Sequence, residues 1–166
     1  MDTGSASSRG GARFYGRFRL KLDVKGRVTL PSVYRRGLGA TAAAQADGER
    51  EEVLLVLRRG SEGFVQVIPY ETWDRAVDQQ RAERATKGTD RQWQARRQYS
   101  SVEIAGLDPK GRLTVPQPLI EAGGLSGEVL VVGTRQLMEI WDPETYFRLE
   151  AQAPEEDSSI DDVLYD

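Results

Sequence analysis

Apolar and polar positions first alternate at Phe18, Leu20 and Leu22, with Arg19 and Lys21 between them. A period of two predicts a strand with one covered face. Asp23-Val24-Lys25-Gly26 interrupts it as a turn, where Gly26 can take positive φ at little cost. Val28 and Leu30 resume the alternation, Pro31-Ser32 closes it, and a short helix is predicted through Val33, Tyr34 and Leu38. The small and charged residues from Gly39 to Glu52 read as a loop. Val53 to Leu57 is a continuous apolar run, as in a strand buried on both faces. A turn at Gly60 to Gly63 leads to a strand from Phe64 to Ile68, which Pro69 ends. Glu71 to Arg84 predicts a helix with Trp73, Ala76 and Val77 on one face. A second helical segment, Arg91 to Tyr99, follows a loop around Gly88.

The rest of the chain repeats this order. Residues 22–31 read LDVKGRVTLP and residues 107–116 read LDPKGRLTVP, differing only at Val24/Pro109, Val28/Leu113 and Leu30/Val115. Val102 and Ile104 alternate before the second phrase, and Leu119, Ile120 and Ala122 mark a helix behind Pro116 and Pro118. Val129 to Val132 and Leu137 to Trp141 match the later strands, and Glu144-Thr145-Tyr146 matches Glu71-Thr72-Trp73. The phrases are offset by 85 residues and the helix starts by 73, so the first half holds about twelve more, most simply at 39–52. Such a duplication predicts an extension at 1–12, a repeat at 13–86, a linker or connecting helix at 87–99, a second repeat at 100–150 and a tail at 151–166. Four strands per half are too few to bury a core alone. The expected fold is therefore α+β, mainly β with short helices, with the halves intertwined into one barrel that shields its edges.

Charge changes the picture more than composition does. The net charge is -3, yet residues 1–36 carry nine Lys or Arg against two Asp, while residues 150–166 carry seven acids and no base. Binding to an anionic partner follows the local field, so an acidic whole does not exclude a nucleic-acid surface. Residues 1–12, rich in Gly and Ser, are predicted to be weakly held or disordered. Cys and His are both absent, which removes disulfides, thiolate chemistry and the commonest general base and zinc ligand. KGR in a hairpin is no phosphate-binding nucleotide loop, and no GxGxxG opens a helix. Glu139, Asp142 and Glu144 sit beside a helix start, where capping explains them. No enzyme, cofactor or metal is expected. No apolar run approaches membrane-spanning length, and a cytoplasmic protein is expected.

Arg17, Arg19 and Lys21, spaced by two, fall on one face of the first strand, next to the turn with Lys25 and Arg27 and the helix with Arg35 and Arg36. A row of cations beside a basic turn suits the phosphates of a duplex, and an Arg there can also read guanine. These seven residues form the candidate DNA-binding set. Asp23 either accepts backbone N–H bonds within the turn or pairs with Arg27, and Arg27 either braces Asp23 or reaches outward. The second copy keeps the turn chemistry in Asp108, Lys110, Gly111 and Arg112 but lacks the basic strand, and Ile120 stands where the offset from Arg35 would place a base. Asp23, Gly26, Asp108, Lys110, Gly111 and Arg112 are therefore assigned a structural or accessory role. The competing readings are a binder that uses both turns, and an oligomeric scaffold that binds no specific sequence.

The doubled phrase, with Tyr15-Gly16-Arg17-Phe18 before it, Val33-Tyr34-Arg35 after it, VLVVG at 129–133 and Glu139-Ile140-Trp141, resembles the MraZ family over about residues 13–150. The resemblance implies tandem SpoVT/AbrB-like repeats forming a swapped-hairpin, double-psi-like barrel. It also implies ring-shaped homo-oligomers of eight or more subunits, associated with the nucleoid. Members of this family are implied to bind double-stranded DNA at short G-rich promoter repeats and usually to repress the division and cell-wall gene cluster. The family's DXXXR motifs fall on Asp23 to Arg27 and Asp108 to Arg112, with Lys25 and Arg27 central to its DNA-facing surface.

Overall fold

The computed structural model describes residues 13–43, 52–83, 89–155 and 159–165. The first half contains β1 (Arg17–Lys21), β2 (Arg27–Thr29), α1 (Ser32–Ala43), β3 (Leu54–Arg59), β4 (Val65–Pro69) and α2 (Tyr70–Glu83). After α3 (Thr89–Ser100), the second half contains β5 (Glu103–Gly106), β6 (Arg112–Thr114), α4 (Gln117–Ala122), β7 (Glu128–Gly133), β8 (Met138–Trp141) and α5 (Pro143–Gln152), followed by α6 (Ser159–Leu164). The extension at 1–12 and most of the inserted stretch, 44–51, lie outside the described residues.

Two antiparallel sheets draw strands from both halves. One has the order β1-β7-β8-β4-β3-β5, and the other is the ribbon β2-β6. β1 pairs with β7 from Arg17↔Val132 to Lys21↔Glu128, and β3 pairs with β5 from Leu54↔Gly106 to Leu57↔Glu103. The ribbon pairs Arg27↔Thr114, Val28↔Leu113 and Thr29↔Arg112.

Neither sheet closes, and the expected barrel does not form. β1 and β5 end the large sheet as open edges. The chain passes from each edge strand into the ribbon through one bridge, Leu22↔Val28 in the first half and Leu107↔Leu113 in the second. A tight turn follows each first partner at once, so no ladder can extend around the corner. The expectation of a mainly β chain also fails, because helices hold more of the described residues than strands do. The loop predicted from Gly39 is helical to Ala43, and α6 lies within the acidic tail. Alanine is the strongest helix former, which favours continuation of α1 past Gly39.

Most of each continuous apolar run is buried, on both faces of the sheet, although Leu54 at the start of β3 is exposed. Leu55 and Leu57 of β3, Val65 and Val67 of β4, and Val129 and Val131 of β7 join Phe14, Val28, Leu30, Tyr34, Leu113 and Ile140 in the main core. The alternate β7 residues, Leu130 and Val132, meet Phe64, Trp141, Tyr146 and Leu149 beneath α5. Burying one such aliphatic side chain contributes roughly 1.5–3 kcal/mol. Tyr34 ties the N-terminal segment to this core: its hydroxyl donates to the carbonyls of Tyr15 at 2.7 Å and Gly16 at 3.2 Å, and its ring meets Phe14 and Phe18 edge to face. Among the described residues, no helix is long and apolar enough to cross a membrane.

Candidate nucleic-acid interface

Each end of the ribbon carries a turn built to the same plan. In the first, Asp23 Oδ1 accepts the amides of Lys25 at 2.9 Å and Arg27 at 2.8 Å, and Oδ2 accepts Arg27 Nε at 2.7 Å. The Gly26 amide donates to the Asp23 carbonyl at 3.0 Å, with Gly26 at φ +77°. In the second, Asp108 Oδ1 accepts Lys110 N and Arg112 N, both at 2.9 Å, and Oδ2 accepts Arg112 Nε at 2.6 Å. Gly111 donates to the Asp108 carbonyl at 2.9 Å, with φ +75°. Each Asp thus caps the turn's amides and pairs with its Arg at once. The Arg27 and Arg112 amides, more than their guanidinium groups, hold the two carboxyls below the usual range. A carboxylate that stays ionised keeps both turns rigid.

This bracing aims the remaining groups. Lys25 and Lys110 stand exposed beside the apices, and Val24 is fully exposed next to Lys25. Arg27 and Arg112 spend Nε on the carboxylate, and their terminal guanidinium nitrogens remain.

The two turns are locked to each other across the ribbon. The Leu30 amide donates to the Gly111 carbonyl at 3.0 Å, and the Val115 amide to the Gly26 carbonyl at 2.8 Å. A Cβ on Gly26 would lie 2.9 Å from Ile120 Cδ1, while one on Gly111 would overlap Arg35 Cδ. Arg35 Nε also donates to the Leu30 carbonyl at 3.1 Å. Each glycine is thus covered by the other half's helix, and Arg35 stands over the second turn rather than the first. Arg36 follows it on α1, exposed.

The cationic row on β1 is placed differently. Arg17 and Arg19 lie on its exposed face, but Arg17 Nη1 pairs with Glu150 at 2.8 Å and Arg19 Nη1 with Glu128 at 2.6 Å. The Arg17 guanidinium lies over the rings of Tyr146 and Phe147, and that of Arg19 over Phe147 at 5.3 Å. The hydrogen bond to Glu150 raises the Arg17 pKa further. Lys21, exposed, stands in register with Glu128.

Known proteins resemble this chain along nearly its whole length. A "Transcriptional regulator MraZ" of Bifidobacterium longum is 32% identical over 155 residues, covering 90% of this chain and 91% of that protein. The chain belongs to the MraZ family. A MraZ regulator of a Nocardioides species is also 32% identical, covering 90% of this chain and 94% of its own, and one of an Acidovorax species is 31% identical over 92% and 97%. The family profile described as "MraZ protein, putative antitoxin-like" matches residues 103–163.

Within this MraZ chain, the expected site residues separate into groups. Lys25, Arg27, Lys110 and Arg112 occupy the two tips, Arg35 joins the second tip, and Arg17 and Arg19 face carboxylates of the other half. Spacing along the chain does not reveal the carboxylate partners, which lie more than a hundred residues away. Val24 reads as an ordinary turn residue, although an apolar side chain beside a basic apex is legible in LDVKGR, and the structure leaves it fully exposed. Among the described residues, no group of three or more acidic side chains is placed to hold a metal.

Proposed function

We propose that this protein is a sequence-specific DNA-binding transcriptional regulator that contacts double-stranded DNA through the tips of its ribbon. The observation that carries this reading is the pair of carboxylate-braced basic turns at opposite ends of β2-β6. Lys21, Lys25, Arg27, Arg35 and Arg36 form the proposed DNA-facing set, with Arg17 and Arg19 available when their ion pairs open. The aspartates and glycines of both turns hold the geometry. Charges on rigid turns lose little freedom on binding, which favours contact with an ordered phosphate backbone. Lysines at the apices suit phosphate, and an Arg beside them suits the O6 and N7 of guanine.

One tip supplies few contacts, so useful affinity needs repetition. We assign the protein to homo-oligomers, in the form of a ring of eight or more subunits that presents equivalent tips to successive G-rich promoter repeats. Linked contacts raise affinity through effective concentration. A ring seated on a promoter blocks polymerase, which fits repression of a division and cell-wall gene cluster by a nucleoid-associated cytoplasmic protein.

The test is binding to the gene's own upstream DNA and to a scrambled duplex of equal length across a salt series. Preference for the upstream DNA, with affinity falling as salt rises, is expected. Equal affinity for the two would remove sequence specificity, and no binding at low salt would favour an oligomeric scaffold.

A further inference from the structure

The duplication shares its charges across the halves. The antiparallel ribbon brings Leu30 beside Gly111, and this carries α1 of the first half to the turn of the second. There the Arg35 stem lies across Gly111 while its Nε is held by the Leu30 carbonyl. Its terminal nitrogens remain, as do those of Arg112, and the Lys110 ammonium stands exposed on the same turn. Among the described residues, no carboxylate pairs with Arg35 or Lys110. The first turn receives the opposite treatment. Its glycine is covered by Ile120, an apolar side chain that adds no cation to the turn.

We infer that the second turn, with Arg35 delivered to it from the first half, is the principal phosphate-binding site, and that the first turn is the weaker in charge. The ligand is a phosphate of the duplex backbone, held by Arg35, Lys110 and Arg112. Three cations on a rigid turn, two of them planar forks with one nitrogen already fixed, match a phosphate's tetrahedral oxygens. Such a contact positions the protein without reading sequence. The role expected from sequence for Lys110 and Arg112 thereby changes from accessory to central. This inference rests on the DNA-binding reading and extends it.

Exchanging the two covering residues tests it. Arg35→Ile installs the residue that already covers a glycine in the other half, and Ile120→Arg does the reverse. Lys110→Ala and Lys25→Ala remove exposed apical charges without touching packing. Binding of each full-length variant to the upstream duplex and to scrambled DNA is followed by fluorescence anisotropy over a salt series, with thermal melts to verify folding. Arg35→Ile and Lys110→Ala should each weaken both duplexes alike, by about tenfold or more. Each should also make the salt dependence shallower by about 0.9 for every phosphate no longer neutralised. Adding Ile120→Arg to Arg35→Ile should recover part of that slope. If Lys110→Ala, or folded Arg35→Ile, binds with unchanged slope while Lys25→Ala weakens binding, the assignment is wrong and DNA binding stands. If the unaltered protein retards no duplex, the DNA reading falls and this site falls with it.

Discussion

The Leu30 amide donates to the Gly111 carbonyl at 3.0 Å, joining two residues that lie far apart in the chain. Val115 and Gly26 repeat the bond at 2.8 Å in the other direction. The two turns therefore act as one unit, and damage to either glycine reaches both tips. Both glycines have positive φ, where a Cβ costs about 1–2 kcal/mol. Gly26→Ala should cost more than Gly111→Ala, because its Cβ would crowd the fixed Val115 carbonyl at 3.0 Å, whereas the atoms nearest a Cβ on Gly111 belong to the movable Arg35 side chain. Chemical denaturation of the two variants checks the order. Equal stability to the unaltered protein in both would remove the packing account.

Acid should weaken both turns together. Asp23 and Asp108 are held below their ordinary value of 3.8, first by the amides of Arg27 and Arg112. A depressed carboxyl stabilises the fold above its unfolded pKa, and that contribution is lost as pH falls through the folded value. The double variant Asp23→Asn/Asp108→Asn should melt below the unaltered protein at neutral pH, and the gap should narrow as pH drops below 3.8. A gap that stays constant across that range would contradict the assignment.

The Tyr34 phenol is the counterpart at high pH. Burial pushes its pKa from 10.0 up to about 12, and its hydroxyl donates to the Tyr15 and Gly16 carbonyls. The neutral phenol is the stabilising form, so its contribution is complete below pH 10 and is lost as pH rises toward 12. Tyr34→Phe should cost about 1 kcal/mol at neutral pH. It should also abolish a late tyrosinate step near pH 12 in an ultraviolet titration. Loss of an ordinary step near pH 10 in its place would show the hydroxyl to be accessible.

The carboxylates facing β1 should restrain it from binding DNA. Glu150→Gln releases Arg17 and Glu128→Gln releases Arg19, each from an exposed ion pair. The melting temperature should change little, because exposed pairs contribute little to stability. Affinity for scrambled duplex should rise and its salt dependence should steepen, as two cations become free to meet phosphate. Unchanged non-specific binding would show that β1 faces away from the nucleic acid.

What can be read along the chain is local. Alternation at Phe18, Leu20 and Leu22, and the Asp-x-Lys-Gly-Arg turn, depend on residues within a few positions of each other. The turn leaves open whether Asp23 caps amides or pairs with Arg27, and the structure uses its two oxygens for both. Gly39 masks the helix through Ala43, because its poor propensity stands ahead of the alanines that continue the element.

Repetition of LDVKGRVTLP as LDPKGRLTVP was enough to establish a duplicated chain with two basic turns, because turn chemistry is written in adjacent residues. Which partners those turns meet depends on the pairing of β2 with β6 and of β1 with β7, contacts made between the halves. That pairing seats Arg35 on Gly111, sets Glu150 against Arg17 and leaves both sheets open. Chain order carries no record of such encounters, since they arise only when distant apolar faces are buried together.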